Sequence, residues 1–282
     1  MNTVKPYNTE AGKKHEVEEM FDNIAPKYDL LNHVLSMKID VLWRNTLVKW
    51  LNKDQPKEVL DVATGTGDLA ITVHKGTGAK VVGFDLSQQM LNVGIDKIKK
   101  LNLDGEISMI KGDAENMPFE SNKFDAVTVA FGVRNFENLE KGLAELRRVV
   151  KENKSVYILE FSKVEGFLGP LYMFYFKNIL PQIGKLVSKD NRAYTYLPDS
   201  VNAFPFGEKM KNSMLYKNLD HKYMTLEDII KEAKGEEADA TKTEETKEEE
   251  TKTDTEESKD TDAKEEEKTR IFYVTDEVQQ SQ

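Results

Sequence analysis

The chain has 282 residues, 39 % of them hydrophobic, which is enough to build a core, and a formal net charge of -10. Seventeen acids and eight lysines of that balance fall between Lys231 and Lys268, so the other 244 residues carry about -1, and a basic nucleic-acid footprint is not supported. Cysteine is absent, which excludes disulfides, thiolate zinc sites and a cysteine nucleophile; the start lacks the apolar core of a signal peptide and no run of about 18 apolar residues occurs, so the expected location is cytoplasmic, at most peripheral to the inner face of a membrane.

Residues His15 to Leu51 read as helical, with Met20, Phe21, Ile24, Leu30, Leu47 and Trp50 among the apolar positions recurring at three- and four-residue spacings, and Pro26 divides the run into at least two helices. Five short apolar runs follow, at 58–63, 80–86, 107–113, 124–132 and 155–161, with helical candidates at 68–75, 87–101 and 137–151 between them. Strands alternating with helices imply right-handed crossovers and a parallel, doubly wound α/β sheet of Rossmann-like type. Ligands on such sheets bind beyond the carboxyl ends of the strands, here the loops after Ala63, Asp85, Asp113 and Phe131. The aromatic-rich stretch 166–187 reads either as buried helices covering the sheet or as a lid and membrane-facing surface. From Lys231 to Lys268 no large apolar residue occurs, and such a segment has too little to bury to offset its ordering entropy. The organisation expected is a domain over 1–210, an atypical helix or linker over 211–230, a disordered acidic segment over 231–268 and a short ending over 269–282.

The turn "DVATGTGDLA" after the first run carries Gly65, Gly67 and Ala70 at the spacing of a dinucleotide fingerprint, and Asp85 follows Gly65 by 20 residues, as a ribose-binding acid would. S-adenosylmethionine is the rival ligand. It has no pyrophosphate but carries an ammonium, a carboxylate and a sulfonium, so its site calls for an acid near the amino-acid end. Asp61, four residues before the first glycine, suits the ammonium, and Asp113 with Ala114 suits the adenine amino group and ring. Each acid also has a plain reading, as a turn or helix cap. Acids at three successive strand ends are more specific than the glycines.

The segments "YDLLNHVLSMKIDVLW", "DVATGTGDL", "FDLSQQML", "GDAENMPF", "FGVRNF" and "RRVVKENKSVYILEFS" resemble the ubiquinone/menaquinone biosynthesis C-methyltransferase family over about residues 17–207. The resemblance implies a class I S-adenosylmethionine-dependent methyltransferase fold and methylation of a ring carbon in a polyprenylated quinol, demethylmenaquinol foremost. It places cofactor contacts on Thr66 in the glycine turn, on Asp85 at the ribose hydroxyls and on Asp113 with Ala114 at the adenine. Arg134 and Asn135 are implied in substrate activation, with arginine stabilising the developing phenolate and orienting a water. Tyr28, Asp29 and Asn32 are expected to help close the site. For Arg134 and Asn135 the plain alternative is pairing with a surface acid and capping of the next helix. Two departures stand out: Asp40 where the family shows histidine, and "KENK" where "KPGG" is usual, a change in turn chemistry before the fifth strand. The four histidines show no metal spacing, and no metal is expected.

After "SVNAFPFGEKM" the family's closing helix and strand pair are not recognisable, and residues 212–282 faintly resemble part of a bacterial Hsp90-type chaperone. The edge of the sheet is then expected to be short of its last strands, with Ile271–Val274 as one replacement and a cost in stability or activity. Two other functions stay open on the sequence: an NAD-dependent oxidoreductase using the same glycine turn, and an inactive fusion or binding protein.

Overall fold

The computed structural model describes residues 4–36, 38–161, 192–205, 215–217, 223–225 and 271–274. The stretch 166–187 and the acidic segment 231–268 lie outside the described residues. Three helices come first: α1 (Lys13–Ile24), α2 (Tyr28–Leu35) and α3 (Ile39–Leu51), with Pro26 in a short 3-10 turn between α1 and α2. The alternating part follows as β1 (Glu58–Val62), α4 (Asp68–Thr77), β2 (Lys80–Asp85), α5 (Gln88–Lys100), β3 (Ile107–Lys111), β4 (Phe124–Ala130), α6 (Leu139–Val149) and β5 (Val150–Leu159), then helix α7 (Arg192–Ala203). Three short strands complete the described chain, β6 (Leu215–Lys217), β7 (Tyr223–Thr225) and β8 (Ile271–Val274).

Strands pair in the order β3-β2-β1-β4-β5-β8, and every pair in that sheet is parallel. The reversal of strand order lies between β1 and β4, and it puts the glycine turn and the end of β4 side by side. β1 buries apolar side chains on both faces, with Val59, Leu60 and Val62 fully buried, as a central parallel strand with helices on each side requires. One core cluster joins α3, α4 and the strands through Leu47, Leu51, Val59, Val73, Val81 and Tyr157; another joins α1, α5 and α7 through Val17, Met20, Met90 and Tyr196.

Local chemistry sets the boundaries. Gly67 and Gly78, both at positive φ, bracket α4, and the Gly78 N–H closes it on the His74 carbonyl. Side-chain oxygens of Ser87 and Asn138 cap α5 and α6 by accepting from the Met90 and Lys141 amides. The fifth strand begins at Val150 rather than near 155: "KENK" is accommodated inside β5, where the register against β4 jumps from Phe124↔Val150 to Ala126↔Ser155. Asn153 there takes φ +60°, so an asparagine adopts the left-handed conformation that the family's glycine would supply.

The one replacement strand expected at the edge is in place. β8 pairs in parallel with β5, Val156 with Ile271 through Leu159 with Val274. The chain divides into two units, Met1–Phe206 with Thr269–Gln282, and Gly207–Lys268. In the second, β6 and β7 form an antiparallel pair with Tyr216 opposite Met224.

Candidate functional site

A cavity of about 740 Å3, its open mouth included, lies at the carboxyl ends of β1, β2 and β4 and is roofed by Lys14, Val17, Glu18 and Phe21 of α1. Ala63 and Phe131, the residues that turn the chain away at the ends of β1 and β4, both have positive φ without being glycine, backbone strain concentrated at the site. Gly132 sits against Ala63 so closely that a Cβ on it would overlap the alanine methyl.

The lining is acidic. Glu18, Asp85, Asp113, Glu115 and Glu137 face the cavity, and Lys14 is the one lysine among its lining residues. A cationic ligand is favoured there and a pyrophosphate is not. The glycine turn agrees, because two of its amides are already engaged: the Gly65 N–H donates to Asp85 Oδ2 at 2.8 Å and the Gly67 N–H to the Thr64 carbonyl at 2.9 Å. A dinucleotide loop keeps such amides for phosphate oxygens.

Asp85 also accepts from the Ser87 N–H at 2.8 Å, and burial pushes its carboxyl up to about 6 against those hydrogen bonds. Asp113 accepts from the Glu115 N–H at 2.9 Å and from Lys14 Nζ at 2.7 Å. Gly65, Ala114, Tyr28 and Asn135 line the same space. Tyr28 is held by the Asn32 side chain, and its burial raises the phenol pKa. Asn135 donates to the Phe131 carbonyl and accepts from the Tyr196 hydroxyl at 3.1 Å.

Other expected site residues are placed elsewhere. Asp61 is 1 % exposed and lies behind the turn, accepting from the hydroxyls of Thr64 at 2.6 Å and Thr128 at 2.8 Å; burial pushes its carboxyl up to about 6. Its carboxylate braces the turn that was expected to expose it to an ammonium. Thr66 and Gly67 are likewise outside the lining. Thr66 donates to Asp29, and Lys97 bridges Asp29 at 2.8 Å, Asp68 and the Thr66 hydroxyl, so Asp29 ties α2 to the glycine turn instead of facing the cavity. Asp40, at the family's histidine position, is buried against Arg44, Ser36 and His33 and is held below the usual carboxylate range by Ser36 and Arg44, which together outweigh its desolvation.

Arg134 differs most from expectation. Its guanidinium turns inward to Glu160 at 2.8 Å and to the Phe131 carbonyl, beside the Phe161 ring, with Nε buried and without a hydrogen-bond partner. Neither surface pairing nor cavity exposure describes it. Asn138, not Asn135, caps the following helix. Lys13, Lys14, Glu115 and Glu160 escaped the sequence reading. Lys13 donates to the carbonyls of Arg134 at 2.9 Å and Phe136 at 2.8 Å, and desolvation by burial lowers its pKa to about 8. Glu115 accepts from the amides of Glu137 and Asn138. Among the described residues no cluster of three or more His, Asp or Glu side chains is arranged to hold a metal ion.

Comparison with known proteins identifies the family. The model of the ubiE/COQ5 methyltransferase family matches residues 9–227, further at both ends than the motifs alone reached and into the stretch set apart as chaperone-like. The demethylmenaquinone methyltransferase of Bacteroides fragilis is 48 % identical over 211 residues, 74 % of this chain and 86 % of the relative. That of Porphyromonas gingivalis is 43 % identical over 215 residues, covering 75 % and 88 %. A ubiquinone/menaquinone biosynthesis C-methyltransferase of Geotalea daltonii is 44 % identical over 224 residues, covering 77 % and 94 %. The chain belongs to the ubiE/COQ5 methyltransferase family and is a class I S-adenosylmethionine-dependent methyltransferase.

Proposed function

We propose that the protein methylates a ring carbon of demethylmenaquinol, with the donor held in the acidic cavity at the ends of β1, β2 and β4. The observation that carries the reading is the charge of that lining together with the engagement of the glycine-turn amides, which suits a sulfonium donor and disfavours NAD. When bound, S-adenosylmethionine supplies an electrophilic methyl group on a sulfonium. The residues proposed to hold it are Gly65 at the amino-acid end, Asp85 as acceptor for the ribose hydroxyls, and Asp113 with Ala114 at the adenine. Asp61, Thr66 and Gly67 support the site from behind by fixing the turn.

The chain's contribution to the reaction is alignment and charge. A quinol carbon becomes a better nucleophile as the neighbouring hydroxyl loses its proton, so the site must hold the ring in line and receive that proton. Asn135 is the polar group proposed to face the ring and hold a water as proton acceptor, oriented by Tyr196 and the Phe131 carbonyl. Arg134 acts one step back: anchored on Glu160, it fixes the turn that presents Asn135. Tyr28 closes the cavity from α2.

Calorimetric titration with S-adenosylmethionine, S-adenosylhomocysteine and NAD, followed by a methyl-transfer assay on reduced and oxidised demethylmenaquinone, tests this. The first two ligands are expected to bind and only the reduced quinone to be methylated. Binding of NAD with no binding of S-adenosylhomocysteine would overturn it.

A further inference from the structure

Among the described residues six large hydrophobic side chains are exposed, and four of them, Leu30, Ile39, Val41 and Leu42, sit on the two consecutive helices α2 and α3, on either side of a three-residue connection. Leu30 and Leu42 are 61 % and 63 % exposed, more than any of the others. Surface leucines are ordinary singly; a concentration of them on one helical corner marks an interaction surface.

The charges of the same corner are sorted by sign. From Pro26 to Asp54 the exposed charged residues are Lys27, Lys38, Lys49 and Lys53. The acids of that stretch turn inward to partners: Asp29 to Thr66 and Lys97, Asp40 to Ser36, Arg44 and His33, and Asp54 to the Tyr157 hydroxyl at 2.6 Å. A chain with a net charge of -10 thus presents here a face of leucine, isoleucine, valine and lysine. That combination is the chemistry of an interfacial helix on an anionic bilayer, apolar side chains entering the acyl boundary and lysines pairing with headgroups. No helix among the described residues is long and apolar enough to cross a membrane.

The corner is also continuous with the cavity. Tyr28, two residues before Leu30, lines it, and Trp43, next to Leu42, packs on Phe131 of the lining and on Phe161, each at 6.1 Å between ring centroids. We infer that the α2–α3 corner docks the protein on anionic membrane surfaces and presents the cavity to a substrate whose prenyl tail stays in the bilayer. The inference rests on the proposed quinol acceptor for its purpose, but the surface makes its own prediction.

The full chain is sedimented with vesicles of phosphatidylglycerol and phosphatidylcholine, and with phosphatidylcholine alone. Binding is expected to the anionic vesicles, to fall about tenfold or more in Leu30→Gln/Leu42→Gln, and to lose its preference for anionic lipid in Lys38→Glu/Lys49→Glu. Circular dichroism melting and methyl transfer to a short-tailed, water-soluble quinol are expected to match wild type in both variants, while transfer to a long-tailed quinol in vesicles falls. Absence of vesicle binding by the wild type, equal binding by the leucine variant, or a dimer that the leucine variant converts to monomer would each overturn the inference, the last by showing that a second copy covers the corner. If the wild type binds vesicles through this corner but methylates neither quinol, the docking surface stands and the proposed acceptor fails.

Discussion

Lys14 of α1 reaches across the cavity mouth to Asp113 beyond β3, with Nζ 2.7 Å from Oδ2 and Glu115 at 3.5 Å on the other side. The carboxylate proposed to meet the adenine is therefore already satisfied by the roof. Donor entry exchanges one hydrogen-bond donor on Asp113 for another. Lys14→Met is expected to change the stability of the free protein by no more than about 1 kcal/mol, since the pair is partly solvated. It is expected to speed both association and dissociation of S-adenosylmethionine in stopped-flow measurements. Rates identical to wild type would remove Lys14 from the entry step.

Asp85 and Asp61 share a titration signature with a clear sign. Burial pushes both carboxyls up to about 6, above the unfolded value of about 3.9, so their favourable contribution to folding is complete below about pH 4 and is lost as pH rises through about 6. Asp61→Asn is expected to flatten that part of the stability profile and to leave the fold at least as stable at neutral pH, read by denaturant melts across the range. Ligand binding should run the other way, because ribose hydroxyls donate to an ionised Asp85. Affinity for S-adenosylhomocysteine is expected to be roughly fivefold weaker near pH 5.3 than near pH 7.5. In Asp85→Asn it should be weak and flat with pH; a wild-type profile equally flat would contradict the ribose assignment.

The Arg134–Glu160 pair is buried on both sides, with side chains 8 % and 0 % exposed. Removing one member leaves an uncompensated charge, and Glu160→Ala is expected to cost about 3–5 kcal/mol in urea unfolding. Arg134→Met combined with Glu160→Leu should recover much of that loss while activity stays low, because Asn135 has lost its anchored turn. Recovery of activity along with stability would show that the pair serves folding alone.

Gly132 and Ala63 meet where the ends of β4 and β1 converge. Gly132→Ala is expected to destabilise by about 1–3 kcal/mol through overlap of the two methyl groups, and to weaken donor binding by spreading the strand ends. Adding Ala63→Gly removes the clash and suits the positive φ at 63. Calorimetry of the single and double variants checks this: binding should return in the double.

The strands and the acids at their ends were legible because period and turn chemistry are local. The alternation of apolar runs with amphipathic segments gave five parallel strands at nearly their observed positions, and Asp85 and Asp113 fell where the sheet's carboxyl ends converge. What stayed hidden depends on partners distant in sequence. Nothing local marks Lys14 as the partner of a carboxylate at 113, or Glu160 as the buried counter-ion of Arg134. Asp61 has a ligand's spacing to the glycines, and nothing local shows that its carboxylate accepts from the hydroxyls of Thr64 and Thr128. "KENK" reads as a turn because the family shows "KPGG" there, whereas the left-handed Asn153 lies within β5, where the register against β4 shifts.

Strand β8 closes the sheet beside β5 from a place late in the chain, joining Val156 to Ile271. During synthesis that pairing is the last to become available. The flank of β5 must wait, open and able to template another chain, while the ribosome adds the whole acidic segment. Loop closure over such a span adds only logarithmically to the entropic cost, so the delay is one of time more than of free energy. The charged tract between them, with its 17 acids, repels its own copies on neighbouring nascent chains. What the late position of β8 costs is therefore a period in which β5 is an unpaired edge, not a penalty carried by the finished sheet.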